Sequence, residues 1–123
     1  MTRNLRTEYD LLGACQVPAA AYYGIHTHRA IENFAITGRK ISSFPHFIAA
    51  LASIKEAAAV SNLKLGLLDA KRARAIMSAC RAVRAGMLDS HFLVDVIQGG
   101  AGTSSNINAN EVIANKALEI GHL

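Results

Sequence analysis

The stretch SSFPHFIAALASIKEAAAVSNLKLGLLDAKRARAIMSACRAVRAG, residues 42–86, decides the fold. Ser42-Ser43-Phe44-Pro45 reads as a helix start: a serine cap candidate, then a proline whose missing N–H is not needed in a first turn. Phe47, Ile48, Leu51, Ile54 and Ala58 follow at three- and four-residue spacing, which predicts one apolar face of a helix running to about Asn62. Gly66 ends it. Asp69 then caps a second helix, Ala70 to Ala85, with Ala73, Ile76, Met77, Cys80 and Val83 as its buried stripe and Gly86 as its terminator. Two helices in tandem set the class as mainly α.

Working outward, Met1 to Asp10 reads as a polar lead-in. Pro18 opens an alanine-rich stretch, Ala19 to Glu32, that predicts a short helix, and Phe34 to Ile41 is a short strand or loop around Gly38. Downstream, Met87 to Ile97 is irregular, and a glycine- and serine-rich run leads into a third helix, Asn106 to Ile120. Gly121-His122-Leu123 follows that helix directly, with no further capping element. The expectation is about three main helices with short strands and irregular loops.

The composition narrows the function classes. Of 123 residues, 51% are hydrophobic and 18% charged, with two prolines, which excludes a disordered or collagen-like chain. The longest apolar run, Phe47 to Ile54, is interrupted by Ser53 and is far short of the roughly 20 residues a spanning helix needs. With no secretory pattern ahead of it, the chain is expected to be cytoplasmic. Cys15 and Cys80 form no CxxC pair and read as small core residues. The net charge of +4 gathers at Lys71, Arg72, Arg74, Arg81 and Arg84, a solvated helix face without the aromatic platforms of a nucleic-acid surface. Neither nucleic acid nor membrane is therefore an expected partner.

Chemistry concentrates at Gln98-Gly99-Gly100-Ala101-Gly102-Thr103-Ser104-Ser105. Glycines let backbone amides approach a ligand, and the first turn of the next helix offers unpaired N–H groups and the positive end of the dipole. Together these suit an anion, with Thr103, Ser104 and Ser105 as hydroxyl donors. A P-loop would need lysine after its last glycine, where Thr103 stands, and a dinucleotide fingerprint would need a third glycine. Spacing alone leaves a plain serine-rich helix cap open.

The following helix carries Asn106, Asn108, Asn110 and Asn115, an unusual load of a poor helix former. A helical wheel groups Asn108, Glu111, Asn115 and Glu119 in a polar stripe and sets Asn106 and Asn110 among Ile113, Ala114, Ala117 and Ile120. Asn106 and Asn110 are read either as structural amides or as supports of the preceding loop. Arg29, three residues from His26 and near Tyr22 and Tyr23, offers a fork for a carboxylate or is a plain surface arginine. His26 and His28 diverge on a helix, so no metal ligand set is expected.

Three stretches together resemble the aspartase/fumarase superfamily: Arg6 to Gly13 with Val17-Pro18, Tyr22 to Phe34, and Gln98 to Val112. The likeness covers essentially the whole chain, and GGAGTS is the form of its aspartate ammonia-lyases, since class II fumarases tend to carry serine at the Ala101 position. His28 departs from the leucine common among aspartases.

The resemblance implies the first domain of that fold, residues 1–123, and a reversible elimination of ammonia from L-aspartate to fumarate without organic cofactor. It implies substrate contacts at Thr103, Gly102, Ser104 and Arg29, and a homotetramer. The family's catalytic serine belongs to a GSSxMPxKxN loop that does not occur among these residues. The chain alone is therefore expected to be inactive. The alternatives are the matching domain of a class II fumarase-type lyase and a non-catalytic binding module.

Overall fold

The computed structural model describes residues 4–123. Two antiparallel strands, β1 (Leu5–Asp10) and β2 (Gly13–Pro18), precede four helices: α1 (Ile25–Asn33), α2 (Pro45–Lys64), α3 (Ala70–Arg84) and α4 (Thr103–Gly121). Short 3-10 turns stand at Ile41–Ser43 and Asp89–His91. The chain is mainly helical, as expected, and α3 packs along both α2 and α4.

The hairpin corrects the polar lead-in, whose residues 1–3 lie outside the described residues. β1 points Arg6, Glu8 and Asp10 inward and leaves Leu5 and Tyr9 exposed, so its hydropathy pattern is inverted. Each inward charge has a specific partner. Arg6 donates to the carbonyls of Pro18 (2.9 Å), Ala19 (3.1 Å), Ala21 (2.7 Å) and Tyr23 (2.7 Å) and pairs with Glu8. Pro18 therefore ends a strand, and α1 begins at Ile25 rather than Ala19.

α3 follows its local signals closely. The Asp69 carboxylate accepts from the Arg72 amide at 3.0 Å, and Gly86 adopts φ +81° just beyond the helix. Ala73, Cys80 and Val83 are buried as predicted, whereas Ile76 and Met77 are half-buried and Ala75 and Ala79 complete the inner face.

α2 starts at Pro45, but the two serines sit in the preceding 3-10 turn and give no cap. Its inner face is Ile48, Ala52 and Ala59, leaving Phe47, Ile54 and Ala58 outside. The helix is apolar nearly all round, so periodicity alone does not select the inward side.

Phe92, Val94, Val17, Ile48, Val83 and Val112 form the centre of the core. The 92–96 segment enters that core as an extended strip, donating its Val96 amide to Arg39 and accepting at Val94 from Ile41. No helix among the described residues is long and apolar enough to cross a membrane.

Candidate functional site

α4 begins at Thr103, three residues ahead of the expected Asn106. Gly102 precedes it in the left-handed region (φ +68°, ψ 25°), where a side chain would strain the backbone. The turn is closed by the Gly102 amide, which donates to the Gly99 carbonyl at 2.9 Å.

Gln98 fastens this loop at both ends. Its Oε1 accepts from the Ser105 amide at 2.8 Å, and its Nε2 donates to Ser105 Oγ at 2.8 Å and to the Asp95 carbonyl at 2.9 Å. One side chain thus satisfies an orphan amide of the helix start and spans the glycines between. The amides of Thr103 and Ser104, also in that first turn, have no intrahelical acceptor.

The loop faces a groove of about 440 Å³ lined by Phe44, Phe47 and Ile97 on its apolar side and by Gly99, Gly100 and Ser105 on its polar side. Its lining residues include no titratable side chain, so the groove offers donors to an anion but no acid or base. Lys55 of α2 adds a positive charge beside the first turn of α4 by donating from Nζ to Asn106 Oδ1.

Asn106 and Asn110 are both exposed, which corrects their placement on an apolar face. The buried amide is Asn108, 0% exposed, which accepts from the Leu93 amide and donates to the His91 carbonyl, each at 3.0 Å. The rest of the predicted polar stripe does lie together. Glu111 accepts from the amides of Gly24, His26 and Thr27, Asn115 donates to the Tyr22 carbonyl at 2.7 Å, and Glu119 bonds the Tyr22 hydroxyl at 2.7 Å. The stripe docks α1 and its approach onto α4.

Arg29 does not join the loop. Its fork closes on Asp10 (2.7 and 2.9 Å) and on the Gly13 carbonyl, and among the described residues none of its hydrogen bonds reaches residues 98–105. The Arg29 guanidinium holds the Asp10 carboxyl below the usual aspartate range. His26 Nδ1 lies 4.0 Å from that same carboxylate, while His28 turns toward Glu32.

The sequence alone assigned no role to Gln98 or to Asp95. The Asp95 carboxylate is held down at about 2, above all by the Ile97 amide, with the Thr37 and Gly38 groups adding to it. Its only sequence signal was a lone acid inside the apolar run from Phe92 to Ile97.

Comparison with known proteins gives the family and the fold. The family model described as Lyase matches residues 13–122, and the chain belongs to that family. It is 53% identical over 120 residues to an aspartate ammonia-lyase of Pseudomonas fluorescens and 52% identical over 124 residues to that of Escherichia coli K12. Those alignments cover 97% and 99% of this chain but 25% and 26% of the relatives, so the chain spans about a quarter of their length.

Two solved structures share the fold. The fumarate lyase:delta crystallin of Brucella melitensis in native form superposes with a TM-score of 0.93 at 50% identity, over 95% of this chain and 27% of that one. The recombinant class II fumarase of Schistosoma mansoni gives 0.91 at 38% identity, over 97% and 25%.

Proposed function

We propose that this chain is the amino-terminal domain of an aspartate ammonia-lyase and that residues 99–105 are its carboxylate-binding loop. The observation that carries the reading is the Gln98 clamp, which leaves the first amides of α4 and the Thr103 hydroxyl free to face a bound anion. The relatives named above carry that activity in their names.

In this reading L-aspartate binds with a carboxylate against Gly102, Thr103 and Ser104. A base removes a proton from the β-carbon, and the electron pair moves into the β-carboxylate as an aci-carboxylate. Its return forms the double bond of fumarate as the C–N bond breaks and ammonia leaves. Donors placed where that charge develops lower the barrier. The base comes from elsewhere in the active enzyme, because the groove holds none. Arg29 holds the hairpin on α1 through Asp10 and the Gly13 carbonyl.

The active enzyme is a cytoplasmic homotetramer in this reading. The exposed apolar side chains of α2, Phe47 and Ile54, suit contact with further helices.

The test grafts these residues in place of the matching quarter of the Pseudomonas fluorescens relative. Fumarate and ammonia are then followed from L-aspartate, with L-malate in parallel. The graft releases fumarate from aspartate, Thr103→Ala lowers that rate about 100-fold, as loss of one such donor does elsewhere, and the isolated chain is inactive. Turnover of malate alone would assign the domain to a fumarase-type lyase. A graft that folds and turns over neither substrate would leave a binding module.

A further inference from the structure

Thr37 and Gly38 form a surface turn whose amides converge on one carboxylate. Asp95, 6% exposed, accepts from the Thr37 amide (2.8 Å), the Gly38 amide (2.9 Å), the Thr37 hydroxyl (2.9 Å) and the Ile97 amide (2.8 Å). The carbonyl of the same residue accepts from Gln98 Nε2, and Gln98 holds Ser105 at the start of α4. One residue therefore faces the 37–38 turn with its side chain and the anion loop with its backbone.

A buried carboxylate carries a desolvation cost that a small apolar residue avoids. What it adds here is acceptor capacity: two oxygens take four donors from three directions. An amide of the same shape has one acceptor oxygen and would turn its own N–H groups against backbone donors. The antiparallel contacts of Val94 and Val96 with residues 39–41 already hold the strip in place, so the carboxylate is not required merely to bring the two segments together.

We propose that Asp95 is a positioning residue for the anion loop. It fixes the orientation of its own carbonyl, and through Gln98 it sets where the Ser105 amide and hydroxyl stand. The functional consequence rests on the carboxylate-loop reading above, whereas the mechanical coupling does not.

Amide hydrogen exchange on the 123-residue chain tests the coupling without any substrate. Asp95→Asn replaces one of the two acceptor oxygens with an N–H group, and Thr37→Val removes the hydroxyl that donates to Asp95 and accepts from the Arg39 amide, while keeping the carboxylate and both backbone amides. Exchange at the Ser105 amide rises about tenfold in the first variant and about threefold in the second, while Val112 and Ile113 stay within about twofold, as local opening requires. Should Asp95→Asn fail to fold, the Thr37→Val comparison decides alone. Exchange that is unchanged at Ser105, or that rises equally at Ser105 and Val112, overturns the proposal.

In the grafted enzyme the same variants raise KM for aspartate in the same order, with a smaller change in kcat. Selective exchange with no lyase activity in the graft would remove the lyase reading and leave the coupling standing. Activity with no selective exchange would do the reverse.

Discussion

Glu111 of α4 and Gly24, the residue ahead of α1, lie 87 positions apart and are joined by a hydrogen bond from the Gly24 amide to the Glu111 carboxylate. The same carboxylate accepts from the His26 and Thr27 amides, and Glu8 accepts from Ile25 at 2.7 Å. α1 has no side-chain cap of its own, so two distant glutamates supply what a serine or aspartate at its start would otherwise give.

Glu111→Ala therefore destabilises the chain by about 1–2 kcal/mol, the usual cost of losing a helix cap. Gly24→Ala acts on the same site from the other side. A Cβ there would stand 2.9 Å from Glu8 Oε2 and 3.0 Å from Glu111 Oε2, displacing both carboxylates at a cost of about 1–3 kcal/mol. Urea unfolding measures both; midpoints equal to the parent chain's would refute the capping role.

Asn108 and Asn106 are neighbours on α4 with opposite sensitivities. Asn108→Leu orphans the Leu93 amide and the His91 carbonyl inside the core and costs about 2–4 kcal/mol, about 1–3 kcal/mol for each unpaired group less the gain from the apolar side chain. Asn106→Ala, on the exposed side, changes stability by less than about 0.5 kcal/mol. Thermal melts of the two variants settle the contrast, and the reverse order would return Asn106 to the interior.

The two thiols separate by burial. Cys80 is fully buried, which pushes its thiol up to about 11, whereas Cys15 is half-buried on the hairpin. Iodoacetamide at neutral pH modifies Cys15 first and leaves Cys80 intact until the chain unfolds. The raised value also sets an alkaline limit. Its contribution is fully present below about 9, where the unfolded thiol titrates, and is lost as pH rises toward about 11. Rapid double labelling of the native chain would contradict this.

Acid acts in two stages. His91 accepts from the Tyr22 amide through Nδ1, and burial lowers its affinity for a proton. A lowered histidine favours the fold above about 6.5 and gives that up as pH falls below it. Asp95, held at about 2 against an ordinary 3.8, contributes above about 4 and loses its contribution as pH falls from there toward 2. Urea midpoints against pH decline in both windows for the parent chain, and Asp95→Asn flattens the lower one. A lower-window decline as steep in Asp95→Asn as in the parent would exclude Asp95 as its source.

Much of the helical layer could be read from local chemistry. Asp69 and Gly86 bracket α3 because a cap and a left-handed terminator act within a few residues of themselves. β1 escaped because its inward side chains are charged, and each is satisfied by a partner 17 to 19 positions away or by a row of carbonyls. The face of α2 was ambiguous because the helix is apolar on both sides.

The glycine loop before α4 was visible in its glycines and in the helix behind it. Its supports were not, because Asn108 and Asp95 are matched to backbone groups of irregular segments that carry no periodic signal. Arg29 is a different case. Its fork was read as suited to a carboxylate, and within this chain it closes on that of Asp10.

The Arg6 staple and the Glu111 cap also differ in when they can form as the polypeptide leaves the ribosome. All of Arg6's acceptors lie within 17 positions of it, so the hairpin can close as soon as Tyr23 has emerged. Glu8 can then cover one amide of α1. The remaining amides stay bare until Glu111 has been translated, nearly at the end of these residues. Nascent-chain lengths short of Glu111 therefore lack the carboxylate that the Gly24, His26 and Thr27 amides bond, and only synthesis of α4 supplies it.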